Sequence, residues 1–114
     1  MVTIETFRNL ALSFPEALEL PHFKLISFRV RKKIFATLSY IDQRAMLKLS
    51  LIDQSVFCAY DPSIIYPVPG GWGTKGATYV ILKKVKKQML KDILTTAYCG
   101  VAPISLSKKL KLYK

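Results

Sequence analysis

The sequence is poor in the residues that build metal centres and nucleophile sites: its 114 residues include one histidine, His22, and two cysteines, Cys58 and Cys99. That set cannot close a zinc cage and contains no Cys-x-x-Cys pair. No metal and no cofactor is therefore expected, and a reducing, cytoplasmic compartment is the plain reading of so few cysteines. Long apolar runs are missing as well, which leaves no candidate for a membrane-spanning helix. The first twenty residues carry Glu5, Glu16, Glu19 and a single base, Arg8, so no signal peptide is expected. Acidic residues are scarce throughout, 7 against 18 Lys+Arg, for a net charge of +11. The imbalance is regional: all but one of the bases lie from Lys24 onward, where only four of the acids are found. Such a field favours a polyanionic partner, either nucleic acid or an anionic membrane surface.

What is present suffices for one domain over residues 1–114. At this length, with 51% hydrophobic residues, the chain can bury a real core without disulfides. Ile4, Phe7, Leu10, Ala11 and Phe14 recur at helical spacing behind Thr3, a candidate N-cap, and Pro15 ends that helix. Pro15 to Phe23 reads as a loop or short extended segment. Ser27 to Val30 and Ile34 to Tyr40 have strand content around Lys32-Lys33 and form a hairpin. Arg44 to Leu51 alternates strictly, with Ala45, Leu47, Leu49 and Leu51 on one face and Arg44, Met46, Lys48 and Ser50 on the other. Together these make a three-strand antiparallel meander. Asp53 is the expected N-cap of a short helix over Gln54 to Tyr60, which Asp61-Pro62 ends. Ala77 to Val85 returns to strand composition. Met89, Leu90, Ile93, Leu94 and Ala97 mark a second main helix that Gly100 can close, and Pro103 can open a last short one whose end carries Lys108, Lys109, Lys111 and Lys114.

The chemistry-bearing residues fall into five groups. Gly71-Trp72-Gly73-Thr74-Lys75-Gly76 matches G-x-G-x-x-G, but a dinucleotide site needs that motif to open a helix after a strand, and here a strand follows. Read as a P-loop, it has Ala77 where the phosphate-binding lysine belongs. The segment Pro67 to Gly76 is instead expected to be a shaped structural loop with Trp72 pinned onto the core. Its remaining role is ligand contact through Pro69, Gly70, Trp72, Gly73, Lys75 and Gly76. His22 lacks an evident carboxylate and nucleophile to work with, and it reads as structural or as part of that ligand surface. Cys58 and Cys99 are expected to fill core.

The basic residues form the other two groups. Arg29 and Arg31 share one strand face by period two, Lys32 and Lys33 occupy the hairpin tip, and Arg44 and Lys48 oppose the leucines of their strand. If the register joins them, one sheet face presents these cations around Met46 together with Phe35 or Tyr40; otherwise the face is simply solvated. Lys83, Lys84, Lys86, Lys87 and Lys91 make a second cluster. Lysines contact phosphates as point charges without reading bases, and only four arginines are available for base-edge contacts.

The series Phe14-Pro15-Glu16-Ala17, Pro21-His22-Phe23, Ser27-Phe28-Arg29-Val30, Lys33-Ile34-Phe35-Ala36-Thr37-Leu38, Pro67-Val68-Pro69-Gly70, Trp72-Gly73, Gly76-Ala77-Thr78 and Val101-Ala102-Pro103 resembles the MmcQ/YjbR-like family over nearly the whole chain. The resemblance implies a small α+β domain, an antiparallel sheet packed against N-terminal and C-terminal helices. That arrangement is similar to the double-wing fold of a phage transcription factor's DNA-binding domain, and it implies DNA binding. The run Lys83-Lys84-Val85-Lys86-Lys87 departs from relatives that carry an acidic turn before the last helix.

Two functions follow as expectations. One is nonspecific nucleic-acid binding, of DNA, through Arg29, Arg31, Lys33, Lys48, Lys75 and the Lys83 to Lys91 cluster. The other is a small protein-interaction or ligand-binding domain that uses the Pro67 to Gly76 loop, the charge being only solubilising. An enzyme is not expected, since no nucleophile, metal set or carboxylate pair is evident. No membrane partner is expected either, because the basic helix lacks an apolar face rich in Trp and Phe.

Overall fold

A computed structural model describes residues 2–108 of the chain. It is an α+β arrangement of helix α1 (Ile4–Leu12), strands β1 (Leu18–His22), β2 (Leu25–Val30), β3 (Lys33–Ser39) and β4 (Arg44–Lys48), helix α2 (Leu51–Tyr60), strand β5 (Ile65–Pro67), helix α3 (Gly71–Thr74), strand β6 (Ala77–Ile81), and helices α4 (Lys87–Val101) and α5 (Ile104–Ser107). The strands make one sheet in the order β1-β2-β3-β4-β6-β5, with every neighbouring pair antiparallel.

Register decides which side of the sheet is core. Ile26, Leu38, Ala45, Val80 and Ile65 align across five strands, and Phe28, Ala36, Leu47 and Thr78 align one row over. All of these except the partly covered Ile26 are buried. Helix α1 sets Phe7 edge-on to Phe28 at 5.5 Å, and α4 buries Leu90, Ile93, Leu94, Ala97 and Tyr98 in the same cluster. Each such side chain contributes about 1.5–3 kcal/mol on burial, so the helices are held behind the sheet by this face. Thr3 caps α1 by accepting from the Thr6 N–H at 3.1 Å, and the Arg8–Glu19 pair at 2.8 Å ties α1 to β1.

Tyr98 closes the end of the core. Its ring stacks on Phe14 at 4.8 Å and meets Phe35 edge-on at 5.5 Å, while its hydroxyl donates to the Pro15 carbonyl at 2.7 Å. Tyr98→Phe leaves that carbonyl without its partner and is expected to cost about 1–1.5 kcal/mol, read as a lower urea midpoint at unchanged slope.

Of the two readings of Pro15 to Phe23 the extended one holds: the segment contains an edge strand, β1, on which Pro21 is tolerated because an edge strand has one side free of partners. Other local expectations are corrected. Strand β4 stops at Lys48, and α2 begins at Leu51, not Gln54. Its cap is Ser50, which accepts from the Asp53 N–H at 3.1 Å and donates to the Asp53 carboxylate at 3.0 Å. Leu51 therefore lies in the first helical turn, 57% exposed, and not on the core face of a strand. Strand β6 ends at Ile81, short of Val85. Gly100 lies inside α4, whose C-cap is Ala102. Lys108 follows α5, while Lys109, Lys111 and Lys114 lie outside the described residues.

Phe35 is not on the cationic face. The register slips between Phe28 and Arg29, so that Phe28 faces Ala36 while Arg29 faces Ile34. Phe35 is the extra residue of this bulge and turns into the core against Phe14 and Tyr98. Tyr40 sits in the turn after β3, beside neither row.

Arg31 and Lys32 connect β2 to β3 as a two-residue turn with φ of 49° and 71°. Both signs suit a right-twisted hairpin, but the left-handed region costs an ordinary L-residue about 1–2 kcal/mol. Lys32→Gly is expected to raise stability by about 0.5–1 kcal/mol after glycine's own entropy loss, again read from the urea midpoint.

Candidate nucleic-acid interface

Among the described residues, no long helix packs across the second face of the sheet. One row runs across all six strands: Leu20, Ser27, Thr37, Met46, Tyr79 and Tyr66. On either side of it lie a row with Arg29 and Ile34, a row with Lys48 and Ala77, and at the other end of the strands the pair Arg44 and Ile81. The register thus joins Arg29, Arg44 and Lys48 around Met46.

A groove of about 1160 Å³ runs along this face and round its end, where Phe35, Ala36, Leu49 and the α4 residues Thr96, Gly100 and Val101 also line it. Its cations are Arg29, Lys32, Lys33, Lys48 and Lys75, and its one acid is Asp53. His22 and Leu25 line one side, Trp72 and Val68 the other, with Ile34, Met46, Ala77 and Tyr79 among the apolar residues between them. Among the described residues none of the five cations makes an ion pair. Arg29 is fixed by donating from Nε to the Ser27 hydroxyl at 2.9 Å, which in turn donates to the Leu20 carbonyl at 2.9 Å. Arg44 is held differently: its guanidinium lies 3.8 Å over the Tyr79 ring and 3.6 Å from the Asp42 carboxylate. It serves the sheet's end and does not line this groove.

The Trp72 wall is built from buried polar contacts. The Gln54 amide nitrogen, on α2, lies 2.9 Å from the Gly73 carbonyl, 3.1 Å from that of Ala77 and 3.2 Å from the Thr78 hydroxyl. Gly73 passes so close to β5 that a Cβ there would sit 1.8 Å from the Val68 carbonyl oxygen. Gly76, at φ of 109°, approaches Leu49 in the same way, its Cβ position 1.9 Å from that carbonyl oxygen. These contacts fix a single helical turn and hold its indole outward. Trp72 is 72% exposed and is not pinned onto the core, contrary to expectation. The loop consumes its glycines as backbone contacts, and the strand β6 that follows excludes the dinucleotide and P-loop readings.

The expected site residues separate by location. Arg29, Lys33, Lys48, Lys75, His22 and Trp72 line the groove. Gly73 and Gly76 lie buried beneath it, and Pro69 and Gly70 form the exposed turn entering α3. Arg31 does not share the face of Arg29, because it has left the strand for the turn and pairs with Glu16 at 2.7 Å and 2.9 Å. Lys83, Lys84, Lys86, Lys87 and Lys91 are exposed but lie outside the groove, after the Ile81 end of β6 and along α4. The length of β4 separates that end from Lys48, about 15 Å. Lys32 and Gln54 are contributors that sequence reasoning did not include. Lys32 was legible as the hairpin tip, whereas nothing local marks Gln54, whose partners lie 19 to 24 residues away.

Burial pushes the Cys58 thiol above its ordinary value, so at neutral pH it is a poor nucleophile. His22 meets the Phe23 ring edge-on at 5.0 Å. Among the described residues no helix is long and apolar enough to cross a membrane.

A family model described as YjbR matches residues 12–99. Among solved structures, the crystal structure of Deinococcus radiodurans protein DR2400, with a domain described as DUF419, is similar at a TM-score of 0.78 and 21% identity, covering 97% of this chain and 89% of that one. That likeness concerns the fold. No curated protein matches.

Proposed function

The chain belongs to the YjbR family, and from that premise we propose that it is a cytoplasmic nucleic-acid-binding protein that holds DNA by phosphate contacts in the groove of the open sheet face. The observation that carries this reading is the excess of cations there: Arg29, Lys32, Lys33, Lys48 and Lys75 converge without ion-pair partners among the described residues, beside one carboxylate. A folded protein gains little by gathering like charges, since they repel, unless a polyanion neutralises them. Four of the five are lysines, which supply affinity without base preference. The reading is of binding and not of turnover.

The test is fluorescence anisotropy of labelled DNA across a salt series, with heparin as a competing polyanion. Five phosphate contacts predict a slope of log affinity on log salt of about −3.5 to −4.5, with DNA preferred to heparin. No binding at low salt would remove the proposal. A second reading, a protein partner contacting the Pro67 to Gly76 loop, draws on the exposed Trp72, a residue type favoured at protein interfaces. It requires none of the lysines, so lysine substitutions separate the two.

A further inference from the structure

We propose that the groove takes single-stranded DNA, with one base stacked on the Trp72 indole. This inference rests on the nucleic-acid reading above and specifies the form of the polymer. Three observations lead to it.

The first is shape. Proteins that read a duplex project a helix or ribbon into a groove about 12 Å wide. Here the unpaired cations line a recess, α1 and α4 bury their apolar sides in the core behind the sheet, and α4 meets the recess only through Thr96, Gly100 and Val101 at its end. Among the described residues no helix projects from the cation-bearing strands to enter a duplex.

The second is the indole. Trp72 is 72% exposed, yet its support is rigid. The Gly73 carbonyl is held by Gln54, and the backbone on either side is fixed by Lys75 N–H to Trp72 O at 3.1 Å, Gly76 N–H to Gly73 O at 3.1 Å and Val68 N–H to Ala77 O at 3.0 Å. A flat apolar ring presented on a fixed support, beside Lys75 and Lys48, is what a stacked base between two phosphates requires.

The third is the floor. Ile34, Met46, Ala77 and the Tyr79 ring offer mainly carbon between the cations, a surface on which bases and sugars can pack while the phosphates meet the lysines.

Trp72 is the only tryptophan, so tryptophan emission, excited beyond the tyrosine absorption band, reports on this residue alone. The experiment compares a labelled oligo(dT) of about 15 nucleotides with its oligo(dA) duplex and with oligo(rU), following anisotropy and tryptophan emission together. Oligo(dT) is expected to bind at least about tenfold more tightly than the duplex and to quench Trp72. Trp72→Ala is expected to lose about tenfold on oligo(dT) and under about twofold on the duplex, while Trp72→Phe retains most of the affinity. Because the indole is exposed, both variants should fold, which circular dichroism checks. Equal or tighter binding of the duplex, or unchanged emission on binding oligo(dT), would overturn the inference and leave the nucleic-acid reading standing. Preference for oligo(rU) would overturn the assignment to DNA. Failure of every polymer to bind would remove both readings.

Discussion

Replacing Lys33, Lys48 and Lys75 together by alanine is expected to weaken DNA binding about a hundredfold at low salt. A lysine within about 4 Å of a phosphate in water contributes about 1 kcal/mol, so three contribute about 3 kcal/mol, and each 1.4 kcal/mol is tenfold. The salt slope should fall at the same time by about 2, because fewer counterions are released. All three side chains are exposed and without ion pairs among the described residues. The unfolding free energy from urea denaturation should therefore stay within about 0.5 kcal/mol of the parent. The informative control is the other lysine cluster. Reversing Lys83, Lys84, Lys86 and Lys87 alters the long-range field but removes no groove contact, and the expected loss is under about tenfold, diminishing further as salt screens it. If the second set of changes proved the more damaging, phosphate contact would belong to the segment between β6 and α4 and not to the open face.

Gly73→Ala is expected to destabilise the protein by about 3 kcal/mol. The new carbon would lie 1.8 Å from the Val68 carbonyl oxygen and 2.9 Å from its carbon. Both atoms are backbone, so no rotamer change can yield. Overpacking costs about 1–3 kcal/mol and occasionally more, and a collision with backbone this close belongs at the top of that range; displacing the turn also disturbs the bonds that the Gly73 carbonyl accepts from Gln54 and from the Gly76 N–H. Gly76→Ala combines a similar collision, 1.9 Å from the Leu49 carbonyl oxygen, with a backbone at φ of 109° that alanine adopts poorly. Urea denaturation measures both. Gly70→Ala is the contrast: its φ of 85° carries the same backbone penalty, but a Cβ there meets nothing within 4 Å. Its expected cost is therefore limited to about 1–2 kcal/mol. If Gly73→Ala cost no more than Gly70→Ala, the loop would be compliant and Trp72 would not be presented on a fixed support.

How far the sequence foretold this arrangement depends on whether a feature was decided locally. The alternation of Arg44 to Lys48 placed Ala45 and Leu47 inward and Met46 and Lys48 outward, as the sheet has them, because period two is a property of one strand. The same alternation misled at Leu51. The chain turns into α2 as soon as Ser50 can cap it and the Leu49 N–H is taken by the Gly76 carbonyl at 3.0 Å, and the second of these lies far away in sequence. Arg31 shows the limit of period two from the other side, since the parity rule holds only while the chain is still a strand. Phe35 escaped because a bulge leaves no mark in its own residues. Trp72 escaped for a related reason: among prolines and glycines a tryptophan reads as an anchor, and only the packing of Gln54, Val68 and Leu49 around the glycines shows that the anchoring is done by backbone.

The central claim is that nucleic acid lies on the open sheet face, and the most direct measurement is a heteronuclear amide NMR titration of the labelled protein with oligo(dT). The account predicts shift changes at Arg29, Ile34, Lys48 and Lys75 and at the Trp72 indole N–H, with Lys86, Lys87 and Lys91 at the start of α4 essentially unmoved. Changes concentrated on Lys83 to Lys91, or none anywhere at low salt, would contradict it.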